Sequence, residues 1–153
     1  MKRFLAVACV LLLLASPAAA QSGPRLGAYY GVDLAALSHP GDQHLGLLYA
    51  APAFGAVEWY SSLEVFFNHL ADGSVWQLSI NLRARPWHSG ATPSPLYVGA
   101  GLDVRSGTFD PGMLVGVEVP ARATRPFLEF RLFGTDIDRA SYDVIGGLTF
   151  ALH

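Results

Sequence analysis

From Arg25 to the end of the chain, apolar and polar residues alternate in short runs, and clusters of Gly, Pro, Asp and Ser separate the runs. Period-two alternation is the mark of a β-strand, because successive side chains point to opposite faces. The separators are turn formers. Eight strands are expected, at about residues 25–37, 43–51, 56–68, 74–85, 95–105, 112–119, 126–134 and 141–152. The turns between them are short, and no helical period lasts more than a turn or so.

The fourth run is the clearest. Trp76, Leu78, Ile80, Leu82 and Ala84 alternate with Gln77, Ser79, Asn81, Arg83 and Arg85. In the seventh, Leu128, Phe130 and Leu132 share one face while Glu129 and Arg131 share the other. The second run, around Leu45-Gly46-Leu47-Leu48-Tyr49, gives no clear alternation. Across the eight runs the charges fall mainly on strands and not in turns: Asp33, Glu58, Glu64, Arg83, Arg85, Asp103, Arg105, Glu118, Glu129, Arg131 and Asp143.

Which face points inward decides the class of protein. An ordinary sheet turns its charges to water. Here the charged face also carries Gly27, Tyr29, Gly31, Tyr60, Tyr97, Gly99, Gly101, Gly116 and Gly147, and small beside large suits a narrow, packed interior. The opposite face is Leu, Val, Ala and aromatic, as a lipid-facing band should be. The expected fold is therefore all-β: an eight-stranded antiparallel up-and-down transmembrane β-barrel. Its lumen would hold a polar network of Glu58, Glu64, Arg83, Arg85, Arg105, Glu129 and Arg131. Trp59, Trp76, Tyr142 and Phe150 are the expected interfacial aromatics, with Trp87 beyond the inner rim.

Composition then narrows the setting. Met1-Lys2-Arg3, an apolar run from Phe4 to Ala15 and Ser16-Pro17-Ala18-Ala19-Ala20 read as a cleavable signal peptide, residues 1–20. The barrel domain is then 21–153. Loss of Lys2 and Arg3 takes the basic residues from 10 to 8 against 12 acidic ones, a net charge of about −4. No lysine remains, which leaves no basic footprint for nucleic acid. Cys9 is the one cysteine and lies in the leader, so no disulfide or catalytic thiol is expected. Mean hydropathy is +0.34, yet after the leader no apolar stretch reaches helix-spanning length. A barrel reconciles the two, since it spreads its apolar residues over alternate positions.

Two segments carry a resemblance. Pro95-Leu96-Tyr97-Val98-Gly99-Ala100-Gly101-Leu102 and Tyr142-Asp143-Val144-Ile145-Gly146-Gly147-Leu148-Thr149-Phe150 resemble strands of the small outer-membrane barrels of Gram-negative-type bacteria, the OmpA-like and opacity-protein-like proteins. Those barrels usually end on an aromatic, and this chain ends Ala151-Leu152-His153. The resemblance implies outer-membrane lipid as surroundings, the barrel-assembly machinery as a partner during biogenesis, and a monomer in the cell envelope. It implies a structural or narrow-pore, porin-like role.

No catalytic group, cofactor site or metal site is expected. The five histidines, His39, His44, His69, His88 and His153, lie in or beside turns or at the terminus, where solvated side chains are expected. No histidine pair has metal-ligand spacing. Ser106 and Ser141 would be nucleophiles only beside a histidine. Two other readings follow from the same pattern. A soluble, exported lipocalin-like barrel would invert the faces, lining an apolar pocket with Leu128, Phe130 and Leu132. An outer-membrane lipid-modifying enzyme such as a lipid A deacylase would resemble a His-x-Ser element on a barrel wall, and His88-Ser89 has the wrong spacing for it.

Overall fold

The computed structural model describes residues 23–34, 43–67, 75–86, 88–89, 92–105, 108–119, 124–134 and 141–152. The expected leader (1–20) and Trp87 lie outside them, as do His39, His69, Ser106 and His153. The strands are β1 (Arg25–Asp33), β2 (Gln43–Phe54), β3 (Val57–Phe66), β4 (Val75–Ala84), β5 (His88–Ser89), β6 (Thr92–Pro93), β7 (Leu96–Arg105), β8 (Thr108–Glu118), β9 (Thr124–Phe133) and β10 (Ser141–Ala151). Eight of them close a barrel in the order β1-β10-β9-β8-β7-β4-β3-β2, every pair antiparallel, and β5 with β6 forms a separate two-residue hairpin. Each barrel strand thus pairs with its sequence neighbours, and β1 meets β10 to remove the sheet edges.

The polar residues are inside. Among the described residues, sixteen buried side chains are polar or charged and thirteen are apolar, the reverse of a water-soluble core. Outside stand Leu26, Leu45, Leu47, Leu63, Leu102, Val115, Leu128 and Phe150, all exposed. Leu128 and Phe130 are 55% and 38% exposed while Glu129 and Arg131 are 1% and 0%. The lipocalin-like alternative, with Leu128, Phe130 and Leu132 lining a pocket, is therefore overturned. Strand alternation sets these two faces, and eight strands enclose a lumen that side chains can fill.

Interior packing depends on pairing tyrosine with glycine. Tyr29 lies opposite Gly46 across β1 and β2, and Tyr97 lies opposite Gly116 across β7 and β8. A Cβ at Gly46 would sit 2.1 Å from the Tyr29 ring, and one at Gly116 would sit 2.4 Å from the Tyr97 ring. Both rings are buried flat across a neighbouring strand that must lack a side chain there.

Some strand limits differ from the sequence expectation. β8 begins at Thr108, four residues before the expected start, so Asp110-Pro111 is strand and not turn. Its first residues pair only with β7, because the β9 ladder begins at Gly112; Pro111 stands at the end of that ladder, where its carbonyl accepts from Gly134 N–H at 3.0 Å and no donor is required of it. β2 likewise runs on through Pro52 to Phe54, past its last partner on β1, with a register shift between Pro52 and Phe54. The turn then falls at Gly55, whose φ of 55° suits glycine.

Gly46→Val should destabilise the barrel by about 1–3 kcal/mol or more through overpacking against Tyr29. Gly146→Ala should be neutral within ~0.5 kcal/mol, since its Cβ meets nothing closer than 3.9 Å. Urea unfolding of both variants in detergent, followed by loss of the compact gel band, measures this contrast.

Candidate functional site

The chemistry of the chain is concentrated in the lumen, in two linked clusters. One sits toward the end where β1 begins and β10 finishes. Glu58, early in β3, accepts from Arg25 Nη2 at 2.9 Å and from Arg83 Nε at 2.8 Å. Glu118, the last residue of β8, accepts from Arg85 Nη2 at 2.7 Å and Arg83 Nη2 at 3.3 Å, with Arg125 Nη1 at 3.4 Å. Arg83 therefore bridges the two carboxylates. The fixed planar fork of arginine allows this, and a lysine could not reproduce it.

Mid-barrel, Arg131 is the hub. Its Nε donates to Glu129 Oε1, its Nη1 to Glu64 Oε1, and its Nη2 to the Tyr60 hydroxyl at 3.1 Å. Glu129 also accepts from the Tyr97 hydroxyl at 2.9 Å. Glu64 Oε1 accepts from the Tyr29 hydroxyl and from Ser62 Oγ at 3.0 Å, with Ser79 Oγ at 3.4 Å. The clusters join through rings, because the Arg83 guanidinium lies 4.7 Å from the centroids of both Tyr60 and Tyr97. These two clusters are tolerable because each charge in them has partners; an isolated buried charge costs several kcal/mol.

The far end is different in charge. Asp33, Asp103, Asp110 and Asp143 gather there with Arg105, whose guanidinium stacks 4.4 Å from the Phe66 centroid. Asp33 accepts from Ser141 Oγ at 2.9 Å. A small cavity of about 60 Å³ opens among Phe66, Gln77, Asp103, Arg105, Asp110 and Asp143.

Of the residues singled out from sequence, Glu58, Glu64, Arg83, Arg85, Glu129 and Arg131 are buried in these clusters, and Arg105 is half-buried at the far mouth. Trp59 and Phe150 are exposed toward the end where β1 begins, Trp76 toward the other, and Tyr142 is half-buried beside Phe130, 6.2 Å between ring centroids. Ser141 donates to aspartates. One expectation fails outright. His44 is no solvated turn residue; it is 0% exposed inside the barrel, between Tyr29 and Phe66. Sequence reasoning also missed Arg25, Tyr29, Tyr60, Tyr97 and Glu118 as members of the clusters. Period two places all five on the charged face, so the signal was present.

With this geometry in hand, the fold can be set beside known structures. The crystal structure of the N-terminal β-barrel domain of Pseudomonas aeruginosa OprF superposes with a TM-score of 0.65 at 14% identity, covering 86% of this chain and 98% of that one. The fold is that of a small OmpA-like eight-stranded barrel. No protein-family model matches the sequence, and no curated protein matches it significantly.

Arg131→Leu should cost about 3–5 kcal/mol, because Glu64 and Glu129 lose the same cation inside the barrel. The reading is the unfolding midpoint in detergent, and an unchanged midpoint would count against the hub.

Proposed function

We propose that the chain is an integral outer-membrane barrel with a structural role, its lumen closed to general solutes by its own side chains. The observation that carries this is the inversion of faces. Twenty large apolar side chains are exposed among the described residues. At roughly 1 kcal/mol for a half-exposed side chain, moving them from water to hydrocarbon is worth about 20 kcal/mol, more than the whole stability of an ordinary domain. Lipid is the solvent that suits such a surface, and aromatics near both ends fit two membrane interfaces. The likeness to the OprF barrel domain and the leader-like first twenty residues support the same reading.

A structural role is favoured over a pore by the two clusters. A conducting path would have to part Arg83 from Glu58 and Glu118, and Arg131 from Glu64 and Glu129. The barrel would stand alone in the bilayer as a monomer, inserted by the assembly machinery. No reaction is assigned to it.

Expressed in a Gram-negative host, the chain should be found in outer membranes and should migrate differently on an SDS gel before and after boiling. Reconstituted in liposomes, it should give no sugar-driven swelling. Recovery as a soluble periplasmic protein without a heat shift would overturn the membrane reading. Swelling at porin-like rates would overturn the closed lumen.

A further inference from the structure

The mid-barrel hub leaves one feature unexplained. Every donor to Glu64 converges on Oε1: Tyr29, Ser62, Ser79 and Arg131. Oε2 is buried without a hydrogen bond and faces His44 Nε2 at 3.7 Å. Both ring nitrogens of His44 are also buried without hydrogen bonds. A separation of 3.7 Å is too long for an N–H···O bond, which needs ~2.7–3.2 Å. Two ligand atoms bound at ~2.0–2.1 Å to one tetrahedral ion lie about 3.4 Å apart. Asp143 completes a trio, since one donor atom from each of His44, Glu64 and Asp143 lies within 4.8 Å of the others.

The surroundings are shaped for this trio. Gly31 on β1 pairs with His44 on β2. A Cβ at Gly31 would lie 2.2 Å from His44 Nε2 and 2.4 Å from Cε1, so position 31 is left empty for the imidazole. Phe66 holds the ring from another side, 4.8 Å between centroids. The contacts on Glu64 Oε1 fix that carboxylate with its second oxygen toward the histidine, as outer contacts orient metal ligands elsewhere. Asp143 also lines the far-end cavity, which links the trio to solvent.

We propose that His44 Nε2, Glu64 Oε2 and an Asp143 carboxylate oxygen bind one divalent transition-metal ion of the zinc type inside the barrel. Solvent from the adjoining cavity completes the coordination. The imidazole decides the class, because calcium and magnesium take oxygen ligands while zinc and its neighbours accept nitrogen. Two carboxylates face the ion, one of them, Glu64, shared with Arg131. Asp33, Asp103 and Asp110 at the same mouth raise the local cation concentration, opposed by Arg105 and Arg131.

The test is calorimetric titration of ZnCl₂ into the untagged full-length chain, extracted folded in detergent. The expected result is one ion per barrel and a raised unfolding midpoint. His44→Gln and Asp143→Asn should each weaken binding by roughly 100-fold, on the scale set by metal-site substitutions. His88→Gln should bind as the parent does. No binding by the parent chain, or parent-like binding by both His44→Gln and Asp143→Asn, overturns the proposal. The first result would leave a plain His44–Glu64 pair, and the second would place the ion on turn histidines. Should the variants fail to fold, Co²⁺ bound to the parent decides. Intense visible absorption of a four-coordinate site supports it, and the weak spectrum of hydrated six-coordinate cobalt overturns it. Binding is read on the folded barrel, so the result is independent of the membrane fraction from which the barrel was recovered.

Discussion

Arg131 is a cation at 0% exposure, with Glu64 on one side of it and Glu129 on another. Its three guanidinium nitrogens reach residues of β3 and β9, strands that do not adjoin in the barrel wall. Backbone pairing alone would close the wall but leave its interior unspecified. The hub ties opposite walls together, and Arg83 does the same nearer the end where β1 begins, joining β3 to β8. Buried ion pairs seldom add much net stability over apolar packing, but a broken one costs dearly. The interior therefore specifies one arrangement of eight strands more than it strengthens it.

Packing around the hub follows from the same constraint. An arginine with three partners needs flat, polar-tipped neighbours, and Tyr29, Tyr60 and Tyr97 provide rings for contact and hydroxyls for bonding. Rings of that size fit a narrow barrel only where the facing strand carries glycine, as at Gly46 and Gly116. The outside is then free of polar obligations. It presents leucine, valine and aromatics, and the wall closes on itself through β1 and β10, as a hydrocarbon solvent would demand.

Much of this was legible in period two. Glu129 and Arg131 between Leu128, Phe130 and Leu132 reveal both faces, and glycine beside tyrosine on the charged face indicates which one is inside. β2 was not legible, because its interior positions include Gly46, Leu48 and Ala50, as apolar as its exterior Leu45 and Leu47. His44 was misjudged for the same reason: without alternation in β2, its face could not be assigned. Asp110-Pro111 reads as a turn by composition, yet it is strand, because at the end of the β9 ladder proline can accept from Gly134 without having to donate. The partnership of His44 with Glu64 and Asp143 depends on three strands meeting in space, and no local spacing encodes that.

The central claim is that the alternating apolar face meets lipid and the charged face meets itself. The most direct measurement places single cysteines at outward Leu47, Leu102 and Leu128 and carries a nitroxide label on each in lipid bilayers. The full chain's one native cysteine, Cys9, is first replaced. The account predicts labels relaxed by oxygen dissolved in the bilayer and shielded from a water-soluble nickel chelate at all three positions. Relaxation by the nickel chelate, with little effect of oxygen, would put those positions in water and contradict it.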